Sequence, residues 1–150
     1  MTSTVHREVQ RKLLAIGQAL GYRCRRSFKK HAMSDAVWLD GRSKRYTGEM
    51  LPVAAFEILS FETKKEIMDC IMTLQAISPA LAVLVVSEEE YAQRAEGLVT
   101  YDAKSYPAHI RAMAEELSQG IALVSRIEVW DQAKVDRLYA KYVEARLQLG

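Results

Sequence analysis

The order of apolar and polar positions along the chain predicts alternating helices and strands. Between residues 5 and 20, apolar side chains recur at three- and four-residue steps, which is typical of an amphipathic helix. Beyond Gly21, short apolar runs separated by polar and glycine-containing turns predict strands. The predicted helices cover 5–20, 63–77, 107–117 and 131–149, with another beginning at Ser87, and the predicted strands cover 22–28, 35–40, 52–59, 81–86, 98–101 and 121–124.

The character of the individual runs predicts a topology. Residues 52–59 are apolar on both faces, which indicates a central strand, and residues 81–86 are almost continuously aliphatic, which indicates a buried strand parallel to a neighbour. Residues 41–48 are polar and basic with glycine at both ends, which predicts a hairpin loop. A helix, three strands, a helix and a strand in this order predict one α/β domain over residues 1–150, with a mixed central sheet flanked by helices.

Length and composition narrow the class of protein. A chain of 150 residues, of which 49% are apolar, suits one domain with a substantial core. No apolar stretch reaches the roughly 18 residues that a membrane helix needs, and the N-terminus lacks the apolar core of a secretory signal. Cys24 and Cys70 have no metal-ligand spacing around them. We therefore expect a reduced, cytoplasmic protein without membrane association.

Charge is distributed unevenly along the chain. Residues 1–50 contain 11 Lys and Arg against 4 Asp and Glu, whereas residues 51–150 contain 10 against 15. A local excess of positive charge attracts phosphate, so the basic residues predict contacts with a nucleic-acid backbone; a solvated loop face is the alternative. The candidate nucleic-acid-binding residues are Arg23, Arg25, Arg26, Lys29, Lys30, Arg42, Lys44 and Arg45.

Two acidic residues border the predicted strands. Asp35 opens the apolar run 36–39, and Glu57 closes the run 51–56. A carboxylate in such a position is costly to desolvate unless it meets a cation, and a divalent metal is the natural partner of two carboxylates that meet on neighbouring strands. The two side chains are therefore candidate ligands for Mg²⁺, and the carbonyl oxygen of Ile58 is a candidate third ligand.

The same acidic pair also has a purely structural interpretation. Asp35 follows Ser34 and is placed to cap the turn into its strand, while Glu57 is placed to form an ion pair with Arg23 or Arg25 on an adjacent strand. The residues by themselves leave both interpretations open.

Three segments of the chain occur in an order that points to a known family. They are residues 6–10 (HREVQ) on the first helix, 34–38 (SDAVW) on the second strand and 52–58 (PVAAFEI) on the third strand. In these segments, over roughly residues 5–90, the chain resembles the PD-(D/E)XK nuclease-like superfamily, which has the restriction-endonuclease fold.

The resemblance implies both an architecture and an activity. It implies a core of helix, three-strand meander, helix and strand, with Asp35 and Glu57 as catalytic ligands of Mg²⁺ or Mn²⁺. An acid on the first helix often faces the site in this family, and Glu8 is the matching residue here. The implied protein is a metal-dependent endonuclease that hydrolyses phosphodiester bonds in DNA and forms a homodimer.

The chain departs from the family pattern at one position. The acid-X-Lys element becomes Glu57-Ile58-Leu59, and leucine can neither polarise water nor steady a phosphate. In one interpretation a lysine comes from elsewhere in the chain. In the other, the domain is non-catalytic and acts as a nucleic-acid-binding or protein-interaction module. The candidate replacement lysines are Lys64 and Lys65 at the start of the next helix, or Lys29 and Lys30 before the second predicted strand.

Overall fold

The computed structural model describes residues 4–29, 32–60, 62–95, 102–123 and 125–149. Within these ranges the helices and strands follow one another in nearly the predicted order. In chain order they are α1 (Thr4–Ala19), β1 (Arg23–Lys29), β2 (Ala32–Asp40), a 3₁₀ turn (Gly41–Ser43), α2 (Lys44–Thr47), β3 (Leu51–Leu59), α3 (Lys64–Ile77), β4 (Leu81–Val86), α4 (Glu88–Arg94), α5 (Tyr106–Ser118), β5 (Arg126–Asp131), α6 (Gln132–Tyr139), a π-helical turn (Ala140–Glu144) and α7 (Ala145–Leu149).

The described strands form one open, mixed sheet in the order β1-β2-β3-β4-β5. β1, β2 and β3 pair in antiparallel fashion, whereas β3, β4 and β5 are parallel to one another. One face packs against α1 and α6, and the other packs against α3 and α5. The predicted α/β class with a mixed sheet flanked by helices is therefore confirmed, as are the central position of β3 and the burial of β4.

Aromatic side chains join three strands on the α1 face of the sheet. The rings of Trp38 and Phe56 have centroids 4.7 Å apart, and the rings of Phe56 and Trp130 have centroids 5.4 Å apart. The indole N–H of Trp38 donates a hydrogen bond of 2.8 Å to the carbonyl oxygen of Leu13 in α1. A buried indole N–H needs a hydrogen-bond partner, so this bond helps to fix the position of α1 relative to β2.

Gly17 allows this close approach of α1 to the sheet. A Cβ atom at this position would lie 2.5 Å from Cys24 Sγ and from two atoms of the Trp38 indole. We expect Gly17→Ala to destabilise the protein by about 1–3 kcal/mol through overpacking, although alanine gains about 1 kcal/mol in helix propensity. Urea unfolding measures the change. Gly120→Ala is the matched control, because no atom of the described residues lies within 4 Å of its Cβ position, and equal stability of the two variants would contradict the prediction.

The segment 41–48 differs from the predicted loop, because it forms the 3₁₀ turn and α2. Asp40 caps the turn by accepting a hydrogen bond of 3.0 Å from the backbone N–H of Arg42. The buried Ser43 hydroxyl lies 2.8 Å from the carbonyl oxygen of Asp40 and 2.9 Å from that of Glu49, and it accepts a 2.8 Å bond from the N–H of Leu51. These local bonds satisfy backbone groups that an open loop would leave to water.

The C-terminal part of the chain contains a second difference. The strand predicted at 121–124 is wrong for residues 121–123, and β5 begins at Arg126 instead. The strand predicted at 98–101, like residue 124, lies outside the described residues. The helix predicted from residue 131 is present from Gln132, because the Asp131 side chain caps it with a 2.8 Å bond from the N–H of Lys134. None of the helices in the described ranges is long and apolar enough to span a bilayer.

Candidate functional site

Asp35 and Glu57 lie opposite each other on β2 and β3. The last paired residues at this end of the β2–β3 ladder are Ala36 and Phe56, so the next positions on the two strands are the two acids. β2 begins at Ala32, three residues earlier than predicted, so Asp35 lies inside its strand but at the point where backbone pairing with β3 ends. The two side chains therefore meet at the carboxyl end of the central strand, as the sequence predicts.

The Asp35 carboxylate replaces a main-chain acceptor at this point. Its Oδ2 accepts a 2.7 Å hydrogen bond from the backbone N–H of Ile58. The N–H and C=O of one strand residue point toward the same neighbouring strand, so the carbonyl of Ile58 faces the same gap between β2 and β3. That carbonyl is thus oriented toward the position that a third metal ligand would occupy.

Two side chains of α1 also hold Asp35 in place. His6 Nε2 donates to Asp35 Oδ1 over 3.0 Å, and Gln10 Nε2 donates to the backbone carbonyl of Asp35 over 2.7 Å. The hydrogen bond to Asp35 is the main reason why the pKa of His6 is raised, and the negative charges of Asp35, Glu90 and Glu62 add to it against the opposing effect of burial. The orientation of the Asp35 carboxylate is therefore set by donors from two directions.

Glu57 is partly buried beside Asp35 with no cation in contact among the described residues. Burial raises the pKa of Glu57 to about 9, and the Asp35 charge and a hydrogen bond with Asp35 act in the same direction. The thiol of Cys70 on α3 donates to Glu57 Oε2 over 3.9 Å, and burial followed by the Glu57 charge raises the pKa of this thiol as well. Glu57 thus keeps a proton near neutral pH, because burial and the nearby Asp35 charge both disfavour its ionised form.

Further acidic groups surround the pair. Glu62 accepts a 2.7 Å hydrogen bond from the N–H of Ser60. Glu90 is 5% exposed, and its Oε2 is buried with no hydrogen-bond partner in the described part of the chain. The sequence Ser87-X-X-Glu90 favours a capping box, but the Ser87 N–H is already bonded to the carbonyl of Leu59 at 2.7 Å. The charge of Glu90 is one of the causes that raise the pKa of His6.

The other predicted residues near the pair lie elsewhere. Glu8 is exposed on α1 and accepts a 3.0 Å hydrogen bond from Arg11, so His6 and Gln10, not Glu8, contact Asp35. Lys64 Nζ lies 3.1 Å from Glu116 Oε1, and Lys65 is exposed. Neither lysine has a hydrogen bond or ion pair with either acid.

Position 59 is part of the core. The Leu59 side chain is 0% exposed and packs with Ile67 and Ile71 of α3.

Within the described ranges, no group of three or more His, Cys, Asp and Glu side chains is arranged to hold a metal ion. The candidate oxygen ligands at this strand end are the two carboxylates and the Ile58 carbonyl.

The predicted basic residues separate into two sets. Arg23 and Arg25 of β1 line a cleft of about 1110 Å³ together with Arg42, Lys44 and Arg45, which follow β2. Arg26 is exposed on β1 outside the lining of this cleft, Lys29 ends β1, and Lys30 lies outside the described residues. Neither Arg23 nor Arg25 forms an ion pair with Glu57 in the structure, so the alternative interpretation of that acid is not observed.

Sequence reasoning missed His6, Gln10, Cys70 and Glu90. A signal existed for the first two, because residues four apart share a helix face and His6 and Gln10 are four apart within one of the family-like segments. The sequence carries no comparable signal for Cys70 or Glu90, whose positions depend on how α3 and α4 pack.

No family model, no curated protein and no solved structure matches this chain.

Proposed function

We propose that this chain is a restriction-endonuclease-like protein that binds Mg²⁺ or Mn²⁺ at Asp35 and Glu57 and hydrolyses phosphodiester bonds in DNA. The observation that carries the proposal is the carboxyl pair itself, with the pKa of Glu57 raised to about 9 beside Asp35. A divalent cation replaces the proton of the glutamate in such a pair and removes the repulsion between the two charges. Mg²⁺ commonly uses one or two carboxylates and retains several waters, which fits this small set of oxygen ligands.

The topology supports the same proposal. The order of α1, the β1–β2–β3 meander, α3 and β4 is the order that the family resemblance implies. The acid pair lies near the carboxyl end of β3, where β3 changes from an antiparallel neighbour to a parallel one. Ligands of open α/β sheets commonly bind outside the carboxyl ends of the strands, and the acid pair lies near such an end.

The chain's own residues account for binding and orientation in this proposal. The Ile58 N–H and His6 Nε2 hold the two oxygens of Asp35, which leaves a lone pair on each oxygen for a further partner. The Ile58 carbonyl faces the same gap, and the buried Glu90 adds a favourable field for a cation. When bound, the metal supplies an activated water and neutralises charge on the phosphate.

One set of observations favours a second candidate, a non-catalytic domain of the same fold that binds nucleic acid or a protein. Leu59 is buried in the core and Lys64 is engaged with Glu116, so neither position supplies a cation to the acid pair. Hydrolysis of phosphodiesters benefits from a cation that stabilises the developing charge. A homodimer remains a prediction for either candidate.

A cleavage assay separates the two candidates. We expect the wild type to nick supercoiled plasmid in Mg²⁺ or Mn²⁺. We expect Asp35→Asn and Glu57→Gln each to reduce the cleavage rate by at least roughly 100-fold. Loss of a residue that only orients a metal ligand typically costs about 10- to 100-fold, and loss of the ligand itself should cost more. Glu115→Gln, which changes an exposed acid on α5, is the matched control and should cleave like the wild type.

Calorimetric titration with Mn²⁺ is the second measurement. The non-catalytic candidate would be supported by two results together. The wild type would bind Mn²⁺ with a heat that both substitutions abolish, and it would not cleave duplex, single-stranded or branched DNA. Absence of both binding and cleavage would leave Asp35 and Glu57 with a purely structural role.

A further inference from the structure

The cleft lined by Arg23, Arg25, Arg42, Lys44 and Arg45, termed here the basic cleft, lies at the opposite end of the sheet from the acid pair. Asp40 is the one acidic residue in its described lining, against five cationic side chains. Asp35 and Asp40 are five residues apart on β2, which corresponds to about 17 Å along a strand. The cleft is therefore a separate site from the carboxyl pair.

Most of the cations in the basic cleft are not neutralised by the protein. Arg42 lies 3.6 Å from Asp40, but its side chain is 89% exposed. The other four cations have no ion pair or side-chain hydrogen bond with the described residues. Elsewhere, by contrast, Arg11, Lys12 and Lys64 each contact an acid. Five cations that converge from two separate segments of the chain create a strong local field for an anion.

Arg23 and Arg25 place two cations of the basic cleft on the exposed edge of the sheet. Arg25 pairs with Val37 and Arg23 pairs with Leu39 across the β1–β2 ladder, so both arginines lie on the same face of the sheet as Val37 and Leu39. α3 packs on β2 and β3 at this face, and β1 is an edge strand whose Arg23 and Arg25 are exposed. A polyanion that runs along β1 from the cleft thus meets the exposed Arg23, Arg25 and Arg26.

We propose that the basic cleft is a second site that grips the phosphate backbone of double-stranded DNA about five base pairs away from the acid pair. This inference rests on the proposed function for its choice of ligand. The spacing follows from the distance of about 17 Å and a rise of about 3.4 Å per base pair. A phosphate contact at this distance from the acid pair contributes to the affinity for DNA, and this contribution does not need a metal ion.

Fluorescence anisotropy with a labelled 20-base-pair duplex in EDTA tests the inference, because no divalent cation then assists the acid pair. We expect the triple substitution R42A/K44A/R45A to weaken binding by at least about 10-fold. Log affinity decreases with log salt concentration, and the steepness of this decrease should become smaller by about 0.9 for each phosphate contact that is lost. The matched control is K104A/R137A/K141A, which removes the same charge at exposed positions away from the cleft and should change affinity less than about threefold.

Each outcome supports or overturns the inference. Equal weakening by the two triple variants would overturn it, since only the net charge would then matter. Equal affinity for a polyglutamate peptide of the same charge would overturn the assignment to nucleic acid. Failure of the proposed function is distinguishable, because D35N/E57Q should lose cleavage and Mn²⁺ binding while still binding the duplex in EDTA with at least wild-type affinity.

Discussion

Without divalent cations, the stability of the wild-type protein should fall as the pH rises from 5 to 9, and Glu57→Gln should remove most of that fall. The pKa of Glu57 is raised to about 9 in the folded protein, whereas a glutamate in an unfolded chain titrates near 4.3. Between these two values the folded protein keeps a proton that the unfolded chain has lost. Unfolding then releases a proton, so rising pH favours the unfolded state, with a limiting slope of about 1.4 kcal/mol per pH unit.

Urea unfolding in EDTA at pH 5, 6, 7 and 8 measures this effect. His6 also has a raised pKa, so its contribution to stability is lost as the pH rises through that value and acts in the same direction as Glu57. The difference between wild type and Glu57→Gln isolates Glu57, and Glu115→Gln controls for the loss of one exposed acid. Parallel stability profiles for wild type and Glu57→Gln would contradict the predicted proton uptake.

The same measurement reports on the cation. If Mg²⁺ binds the ionised pair, added Mg²⁺ should stabilise the wild type more at pH 8 than at pH 5, since fewer protons then compete for the carboxylates. Glu57→Gln should show little of this stabilisation at either pH. Equal stabilisation of wild type and variant would place the cation elsewhere on the protein.

Leu59→Lys should destabilise the protein by about 3–5 kcal/mol, although it restores the family's acid-X-Lys pattern. The Leu59 side chain is 0% exposed and packs against α3, so a lysine there must bury its ammonium group or distort the core. Leu59→Met is the matched control, because a swap that conserves volume usually costs less than about 1.5 kcal/mol.

Unfolding at pH 7 and pH 10 identifies the cause of this loss. A buried lysine is strongly shifted toward its neutral form, so the deficit of Leu59→Lys relative to Leu59→Met should shrink at the higher pH. Near-wild-type stability combined with new cleavage activity would contradict the prediction. It would indicate that side chain 59 reaches the acid pair.

The elements with strong local signals could be predicted from the sequence. The periodic apolar face of α1 and the continuous aliphatic run of β4 each determine one element with little help from the rest of the chain. β5 could not be placed, because its residues alternate in type and are mostly only partly buried at the edge of the sheet. Residues 121–123 are more apolar, so the strand was predicted there instead. The helical turns after β2 depend on Ser43, whose burial the sequence does not reveal.

The site was predictable only in its central pair. The approximate ends of two apolar runs were enough to bring Asp35 and Glu57 together, because antiparallel neighbours of similar length oppose their ends. The partners of these acids depend on tertiary packing. Cys70 reaches Glu57 from α3, and His6 was not distinguishable from Glu8 until the rotation of α1 about its axis was known.

The connection between β2 and β3 has a consequence for the order of folding. Asp35 and Glu57 are separated by only 22 positions and belong to one antiparallel hairpin, whereas β5 joins β4 in parallel after a crossover that contains α5. Contacts of short sequence separation close at lower entropic cost than such crossovers. We therefore expect the β2–β3 hairpin to close before β5 joins the sheet, so that Asp35 and Glu57 meet while water still surrounds them and Glu57 takes up its proton as the core is completed.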